Sequence, residues 1–457
     1  MIDFLKRYFA DKKVLILGFG IEGQSTYRTL RDLFPDKPLA IADKDPDILQ
    51  KHPWLRDDHM TTLIAGEHYL DSISDADLII KSPGITDHPE FLHATGRTVT
   101  SQTELFLTHY KSQIIGVTGT KGKSTTSSLL YHIILLHTSN TILAGNIGTP
   151  LFDFAGKTDG NTVIVCELSA HQLDGITCSP HIAILLNMYE EHLDHYQSFA
   201  AYREAKFNIV RHQEPGDIFI YNGNDPVILR QLNSLRIRSR TIPFSLRHSS
   251  SSGCYAADNE TIHYNDTDGS ASFHIGVPPV KGEHNFMNIM AVIAACKVTG
   301  IPDDIILSGI GSFHGLEHRL EYIGTYHGIP FYNDSIATVP EATMYAVKTL
   351  QTVDTLILGG FDRGIDFSAL IRFLKKSGIS NLIFTGDAGK RMLTMCEATK
   401  LPGKRLFFAA DMDEVAGIAI RYTGRGKICL LSPAAASFGM YNNYRERGNA
   451  FRRAVSK

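Results

Sequence analysis

A glycine-rich turn with a lysine and a hydroxyl residue stands out first, reading GVTGTKGKSTTSS from residue 116 to 128. Gly119 and Gly122 allow the backbone to curl with its N–H groups inward. Lys123 can reach the β- and γ-phosphates of a nucleotide, and Ser124 can offer a hydroxyl to Mg²⁺. Apolar residues then recur at helical spacing, so the turn leads into a helix N-terminus, which favours an anion. The pattern predicts a phosphate-binding loop, and an ordinary strand-to-helix turn is the alternative.

Downstream of this loop, an acid ends an apolar strand. The strand TVIVCEL (162–168) contains Glu167, a carboxylate that could hold Mg²⁺ directly or through water. Further on, the strand HIAILLN leads into a run of acids and histidines: Glu190, Glu191, His192, Asp194 and His195. Such a run suits a second metal or a phosphate contact, but surface helix starts are also rich in these residues. Lys206 follows on an amphipathic helix and, taken alone, indicates only a surface charge.

The last third of the chain contributes three more candidates. Arg319 in LEHRL could meet a phosphate, and Asp334 directly after a strand could hold a ribose or a metal. The turn SPAAAS (432–437) could present backbone N–H groups to a carboxylate. Each feature is also compatible with a plain turn.

Near the N-terminus, Gly18, Gly20 and Gly23 match the G-x-G-x-x-G pattern between a strand and a helix, with Asp43 and Asp45 about twenty residues on. Taken alone, this pattern indicates a nicotinamide dinucleotide. The same turn can hold any nucleotide pyrophosphate or simply pack closely, and a second phosphate loop follows it.

Three successive segments of alternating strands and helices must position these residues, and such alternation builds parallel sheets. We therefore predict an α/β protein of three domains, since 457 residues exceed one ordinary core. They are a Rossmann-like domain (1–103), a central domain with a P-loop ATPase-like parallel sheet (104–312), and a C-terminal Rossmann-like domain (313–457).

The composition restricts the classes of partner that the protein is expected to bind. The 43% hydrophobic and 20% charged content is typical of globular proteins, and a net charge of -3 gives no general attraction to nucleic acid or anionic membranes. The N-terminus lacks a signal-peptide pattern, and no window approaches about 18 uninterrupted apolar residues. The six cysteines are scattered, which indicates reduced thiols. We expect a cytoplasmic monomer that binds small molecules, with no nucleic-acid or membrane partner.

Seven motifs in register show what the set resembles: GTKGKSTTS, ELSAHQL, EEHLDHY with YREAK, GEHNFMNIMA, GLEHRLE, YNDS and LLSPAAAS. Over nearly the whole chain, this order resembles the Mur ligases, the ATP-dependent amide-forming enzymes of peptidoglycan synthesis. The N-terminal GFGIEG and SPGI, with GGFDRG and SPAAASFGMYNNYRERG, are similar to the members that join D-glutamate to UDP-N-acetylmuramoyl-L-alanine. The resemblance implies ligation through an acyl phosphate, with ATP and two Mg²⁺ sites as cofactors.

The resemblance also implies individual roles. The ATP site would include Gly119, Thr120, Lys121, Gly122, Lys123, Ser124, Thr125, Asn285, Asn288, Arg319 and Asp334. Metal ligands would be Ser124, Glu167, His192 and Lys206, of which Lys206 matches a lysine that is carbamylated in this family, and catalysis would rest on Lys123, Glu167, His192 and Lys206. The UDP-muramoyl substrate would meet Gly18, Gly20, Lys44, Ser82, Pro83, Gly84, Asn146 and Ser169. Glutamate would meet Thr338, Arg363, Ser437 and Tyr444.

Two departures from the family pattern bear on the acceptor. The D-glutamate enzymes commonly read N-D-S-K-A-T-N where this chain has Asn333-Asp-Ser-Ile-Ala-Thr-Val, so Ile336 removes a cation near the amino-acid site. His171 stands where an aromatic residue is common. Some relatives with altered loops add L-glutamate, which leaves L-glutamate open as the acceptor.

Other functions stay open at this stage. A different Mur-type ligase is one, and a folylpolyglutamate synthetase is another, although the N-terminal domain has no place in that architecture. A nicotinamide-dependent oxidoreductase would use GFGIEG, and a non-enzymatic regulator would bind ATP without amino-acid-dependent phosphate release.

Overall fold

The computed structural model describes residues 1–85, 96–147, 149–191, 196, 198–247, 252–267, 269–276, 282–313 and 315–457. The chain divides into two compact units, Met1–Phe313 and His314–Lys457. The first unit holds two sheets and the second holds one. The α/β class and the three separate sheets are as the sequence predicts, whereas the domain boundaries near residues 103 and 312 stay predictions.

The N-terminal sheet is parallel throughout, in the order β3-β2-β1-β4-β5. This order matches the first five strands of the Rossmann order 3-2-1-4-5-6. The strands are β1 (Val14–Leu17), β2 (Leu39–Asp43), β3 (Thr61–Ala65), β4 (Leu78–Lys81) and β5 (Thr98–Thr100). The helices are α1 (Ile2–Phe9), α2 (Ile21–Leu33), α3 (Ile48–Lys51) and α4 (Gln102–Tyr110).

The central sheet has the order β14-β13-β12-β11-β10-β9-β6-β8-β7. It is parallel from β7 to β12, and β13 and β14 add an antiparallel edge that the predicted parallel sheet lacks. Its strands are β6 (Ile114–Thr118), β7 (Thr141–Gly145), β8 (Val163–Glu167), β9 (Ile182–Leu185), β10 (Ile218–Asn222), β11 (Arg240–Ser245), β12 (Gly253–Ala256), β13 (Thr261–Asp266) and β14 (Gly269–His274).

Six helices accompany this sheet: α5 (Lys123–His137), α6 (Ala170–Leu173), α7 (Phe199–Arg211), α8 (Pro226–Leu232), α9 (Glu283–Val298) and α10 (Asp303–Ser312). Strand β6 is buried along its whole length, as expected of a parallel strand covered on both faces. Helix α9 is almost entirely apolar after its first turn and packs against α5. The core therefore surrounds the strand and the helix that flank the glycine-rich turn.

The sheet of the second unit has the order β15-β16-β20-β17-β18-β19, and only β15 runs antiparallel to its neighbour. Its strands are β15 (Glu321–Tyr326), β16 (Ile329–Asn333), β17 (Val353–Gly359), β18 (Asn381–Thr385), β19 (Arg405–Phe408) and β20 (Ile428–Leu431). Its helices are α11 (Pro340–Leu350), α12 (Ser368–Lys376), α13 (Gly386–Thr399), α14 (Met412–Tyr422) and α15 (Tyr444–Val455). The loops after β16, β20 and β17 meet at one edge, because these three parallel strands are neighbours.

Across the described ranges, no helix is long and apolar enough to cross a membrane.

Candidate active site

The glycine-rich turn connects β6 to α5, as predicted. Gly122 caps α5 with φ +87°, a left-handed conformation that favours glycine. A Cβ at this position would lie 2.7 Å from the Asn288 side-chain oxygen. Asn288 is 4% exposed and its amide donates to Asn285 Oδ1 at 3.2 Å. The two asparagines predicted for the ATP site are thus packed beside the glycine-rich turn, while Ser124 and Thr125 are half-buried at the start of α5.

Two lysines meet at one carbonyl oxygen of this turn. Lys123 Nζ donates to Gly119 O at 2.9 Å and to Thr120 O at 3.1 Å. Lys206 Nζ donates to the same Gly119 O at 2.9 Å. Two ammonium groups this close repel each other unless one loses its charge or an anion compensates them.

Lys206 is not a surface charge, so that interpretation of the isolated residue was wrong. The side chain is 1% exposed because it lies on the buried face of α7, with its Nζ 4.8 Å from the centre of the Tyr202 ring. Burial lowers the pKa of the Lys206 amine well below its usual value, and the charge of Lys123 lowers it further. Only the neutral amine is a nucleophile, so the lowered pKa makes this lysine more reactive than an exposed one.

Glu167 ends β8 and lies beside β6, where it pairs in register with Val117. It is 1% exposed, and its Oε1 accepts from the Asn146 amide at 2.7 Å. Its Oε2 is buried and has no hydrogen-bond partner among the described residues. A buried carboxylate oxygen without a donor is costly unless a cation neutralises it, so this atom fits a Mg²⁺ ligand.

The turn is braced by a residue that the sequence did not single out. Asn187 Oδ1 accepts from Lys121 N at 2.8 Å, and Asn187 Nδ2 donates to Lys121 O at 2.9 Å. Lys121 also forms an ion pair with Glu191. In the sequence, the one feature that could have indicated this contact is that Asn187 directly follows the apolar strand HIAILL.

The structure describes only part of the acidic and histidine run from 190 to 195 that was a candidate for metal binding. His192 lies outside the described residues, as do Asp194 and His195, and Glu190 is exposed. Within the described ranges, no three His, Cys, Asp or Glu side chains form a ready-made metal cluster. A metal at this loop would therefore depend on Glu167 together with hydroxyl, phosphate or water oxygens.

The N-terminal turn is held by an acid from β2. Gly18 has φ +89°, and the Phe19 N–H donates to Asp43 Oδ2 at 2.6 Å. Asp43 Oδ1 accepts from Asp45 N at 2.8 Å, and Ser82 Oγ donates to Gly18 O at 2.8 Å. Asp43 thus supports the turn itself. Of the remaining residues predicted for the UDP group, Lys44, Gly20 and Gly84 are exposed and Pro83 is half-buried.

A short polar chain joins this turn to the strand end that carries Glu167. Ser169 begins α6 in a capping box with Gln172, and Gln172 Nε2 donates to Glu22 Oε1 at 2.7 Å. Glu22 belongs to the first turn of α2, and burial raises the pKa of its carboxyl. The predicted substrate residue Ser169 is therefore linked through the side chains of Gln172 and Glu22 to α2, and Asn146 is held by Glu167.

In the second unit, Arg319 sits in a strained turn. The residues on either side, His318 and Leu320, have backbone φ angles of +65° and +46°, which residues other than glycine rarely adopt. Leu320 N donates to Asp334 Oδ1 at 3.1 Å, and Asp334 Oδ2 accepts from Ser432 Oγ at 2.7 Å. Asp334 was predicted to hold a ribose, and here its two oxygens tie the Arg319 turn to the end of β20.

The four residues predicted to contact glutamate are distributed around the same sheet edge. Ser437 is 4% exposed, and Thr338 and Tyr444 are half-buried. Arg363 is exposed, with its guanidinium 5.3 Å from the Phe438 ring centre. The Tyr444 carbonyl accepts from Ser335 Oγ at 2.8 Å. Thr338 and Ser437 lie on loops and Tyr444 begins α15, with Ser335 joining the Thr338 loop to this helix, whereas Arg363 lies on the surface.

Known proteins resemble the chain along its length. A model described as Mur ligase middle domain matches residues 117–296, and a model described as Mur ligase, glutamate ligase domain, matches residues 318–435. A UDP-N-acetylmuramoylalanine--D-glutamate ligase from Listeria innocua is 32% identical, covering 98% of this chain and 97% of the relative. The ligase of the same name from Geobacillus kaustophilus is 31% identical, covering 99% of both chains.

Solved structures show the same fold at lower identity. The UDP-N-acetylmuramate-alanine ligase MurC from Thermotoga maritima has a TM-score of 0.54 at 18% identity and covers 98% of this chain and 100% of that one. The MurF ligase from Thermotoga maritima in complex with ADP has a TM-score of 0.55 at 16% identity, with 97% and 95% covered. Matches that run from end to end agree with the phosphate loop and the three sheets, and they show that the chain belongs to the Mur ligase family, whose reaction is ATP-dependent amide ligation in peptidoglycan synthesis.

Proposed function

We propose that this chain joins D-glutamate to UDP-N-acetylmuramoyl-L-alanine at the expense of ATP, in the cytoplasm. The observation that supports it most directly is the charge arrangement at the phosphate loop, where Lys123, Lys206 and the unpartnered Glu167 oxygen lie around one turn. Such a site suits phosphoryl transfer, in which catalysis is mainly positioning and charge neutralisation. The substrates are taken from the names of full-length relatives at 31–32% identity.

The proposed reaction has two steps. The terminal carboxylate of UDP-N-acetylmuramoyl-L-alanine attacks the γ-phosphorus of ATP, so that an O–P bond forms, the bond to ADP breaks, and an acyl phosphate results. The neutral amine of glutamate then attacks the acyl carbon. The tetrahedral intermediate expels inorganic phosphate, and the amine proton is released. Phosphorylation is needed because a carboxylate is a poor electrophile and lacks a leaving group.

The residues of the loop have defined tasks in this scheme. Lys123 neutralises phosphate charge, and the backbone N–H groups from Gly122 to Thr125 hold the phosphates at the start of α5. Ser124, Glu167, His192 and a modified Lys206 would hold the two Mg²⁺ ions. Magnesium supplies charge neutralisation on the transferring phosphoryl group when it is bound.

Carbamylation of Lys206, which the resemblance implies, is compatible with the surroundings of this side chain. Its neutral amine would attack CO₂, forming an N–C bond and releasing one proton, so that the side chain becomes an anionic carbamate. The new anion would remove the repulsion with Lys123 at Gly119 O and would offer oxygen atoms to a metal. A lysine that is 1% exposed and has a lowered pKa has the properties that this chemistry requires.

Recognition of the substrates is assigned by resemblance. Asn285, Asn288, Arg319 and Asp334 would complete the ATP site. The UDP-muramoyl substrate would meet the N-terminal turn with Lys44, Ser82, Pro83 and Gly84, together with Asn146 and Ser169. Thr338, Arg363, Ser437 and Tyr444 would bind glutamate.

L-glutamate is the second candidate acceptor. One observation favours it. Ile336 is half-buried in the loop between β16 and α11, here called the acceptor loop, at a position where the D-glutamate enzymes commonly have a lysine. The loss of a cation changes the charge next to the proposed amino-acid site, and so bears on the preferred isomer.

Phosphate release from ATP tests the proposal. The full-length chain is assayed with UDP-N-acetylmuramoyl-L-alanine and either D- or L-glutamate, with reactions that omit the UDP-substrate or the amino acid as controls. We expect release only when all three substrates are present, with D-glutamate preferred. Activity with L-glutamate alone would change the isomer, and no activity with either would reject glutamate ligation to this substrate.

A further inference from the structure

Arg447 is a buried cation with no assigned role. It lies in the first turn of α15 and is 1% exposed, one of the largest fully buried side chains in the protein. Its guanidinium donates to two oxygens of Ser335, with Nε 3.0 Å from Oγ and Nη2 2.8 Å from the carbonyl oxygen. Nη1 lies 3.3 Å from Gly359 O, 3.0 Å from Ala435 O and 3.2 Å from Ala436 O. One side chain therefore binds three separate segments.

These segments are the loops after β16, β17 and β20. Because the three strands are neighbours in the sheet, their carboxyl ends converge on the guanidinium. Two of the loops carry the predicted acceptor residues Thr338 and Ser437. Another of the four predicted residues, Tyr444, starts the helix of Arg447, and its carbonyl accepts from Ser335 Oγ. Arg447 thus lies behind the loops on which the acceptor site was predicted.

The hydrogen bonds also set which way the loop amides point. No peptide bond in the described chain is cis, so the N–H and the C=O of each peptide point in opposite directions. The Ala436 carbonyl is turned towards Arg447, so the Ser437 N–H points away from it. The Ser335 carbonyl is also turned inwards, and the Ile336 N–H reaches His318 O at 3.1 Å, next to Arg319. Ala434 has φ +57°, a strained conformation that surrounding contacts must maintain.

The charge of Arg447 is not neutralised locally. In the described part of the chain its hydrogen-bond partners are carbonyl and hydroxyl oxygens, and none is a carboxylate. Burial lowers the pKa of the guanidinium to about 10, so it stays protonated at neutral pH. A buried cation without a counter-charge is costly, and a bound anion would reduce that cost.

We propose that Arg447 is a positioning residue for the amino-acid acceptor, holding the three loops together from behind and making the site that they form selective for an acidic amino acid. This inference rests on the proposed glutamate ligation. Arg447 need not contact the acceptor. It acts by holding the loop backbone in place and through the electrostatic field of its positive charge.

Three variants test it: Arg447→Lys, Arg447→Ala, and Arg453→Ala as a control on the exposed face of the same helix. Steady-state phosphate release gives separate KM values for ATP, UDP-N-acetylmuramoyl-L-alanine and glutamate. We expect Arg447→Lys to raise the glutamate KM by about tenfold or more. The lysine keeps the positive charge but lacks the planar guanidinium that donates to all three segments at once. The other two KM values should stay within about twofold, and millimolar guanidinium, unlike NaCl, should restore part of the activity of Arg447→Ala.

The outcomes separate this inference from the proposed function. If the wild-type chain releases glutamate-dependent phosphate but Arg447→Lys keeps the wild-type glutamate KM, or raises all three KM values equally, the inference is wrong. A wild-type chain without glutamate-dependent release rejects the proposed function instead. If the Arg447 variants are insoluble, Ser335→Ala decides by the same readout, since it removes the hydroxyl shared by Arg447 and Tyr444.

Discussion

Asp334 should make the second unit lose stability as pH rises. The side chain is 5% exposed, and burial raises the pKa of its carboxyl from 3.8 to about 6, against the opposing effects of Ser432, the Leu320 N–H and Arg319. Between these two pKa values, the folded state holds a proton that the unfolded state has lost. Stability therefore falls as pH rises through this range, the reverse of an acid in a salt bridge.

The size of the effect follows from the two pKa values. A shift of one unit corresponds to about 1.36 kcal/mol, so ionised Asp334 costs the fold about 3 kcal/mol at pH 8. At pH 5 the proton is largely retained in the folded state, and the same calculation gives a cost of about 1.6 kcal/mol. Replacing the acid by a neutral isostere should remove a cost that grows by about 1.4 kcal/mol between pH 5 and pH 8.

Asp334→Asn is that isostere. Its Oδ1 can keep the bond from Leu320 N, and its amide can donate to Ser432 Oγ, whose hydroxyl can turn to Thr343 Oγ1 at 3.1 Å. In the second unit, about 140 residues long, an increase of about 1.4 kcal/mol corresponds to about 5 °C in Tm. The Tm difference between variant and wild type should thus be about 5 °C larger at pH 8 than at pH 5.

Calorimetry of the full chain, combined with two optical signals, measures this difference. Trp54 is the only tryptophan and lies in the first unit, so its fluorescence follows that unit, and the transition seen only by circular dichroism belongs to the second. Asp387→Asn, whose parent side chain is 76% exposed, serves as the control and should give the same difference at both pH values. An equal Tm difference for Asp334→Asn at pH 5 and pH 8 would refute the reasoning.

Two further predictions concern the phosphate loop. Glu167→Gln can keep the bond from Asn146 and removes a buried unpaired charge, so the free energy of unfolding should stay level or rise by about 1–3 kcal/mol, while phosphate release falls about 100-fold or more. The exposed Glu214→Gln should change neither quantity, and undiminished turnover in Glu167→Gln would reject a metal role. Removing dissolved CO₂ should lower phosphate release and bicarbonate should restore it, with a carbamate carbon visible by ¹³C NMR in wild type and absent in Lys206→Met; activity indifferent to CO₂, without that signal, would reject carbamylation.

Local chemistry made the glycine-rich turn between β6 and α5 predictable. Gly122 needs a left-handed backbone and Lys123 must follow it, and both requirements leave a pattern of neighbouring residues. The apolar run before Glu167 likewise predicted a strand end beside the loop, and the strand lies there. The positions of the parallel strands could be inferred because each is an apolar run bounded by turn residues.

What could not be predicted depends on contacts between distant segments. Lys206 is separated from Gly119 by 87 residues of sequence, so its sequence neighbours gave no sign of its burial. The same holds for Arg447, which lies within the motif SPAAASFGMYNNYRERG but received no role, since its partners come from loops about 11 to 112 residues away. Asn187 braces Lys121 across 66 residues. Residues whose task is to hold other loops leave little local pattern.

The substitution at Ile336 has a different meaning once these contacts are known. The backbone of the acceptor loop is held on both sides of this position, by Arg447 at the Ser335 carbonyl and by the His318 carbonyl at the Ile336 N–H. Neither hydrogen bond uses the side chain at 336, so a lysine can be lost there without releasing the loop. The positive field behind the loop also persists, because the Arg447 guanidinium has no carboxylate partner in the described chain. The departure at Ile336 is therefore compatible with the acidic acceptor that we propose.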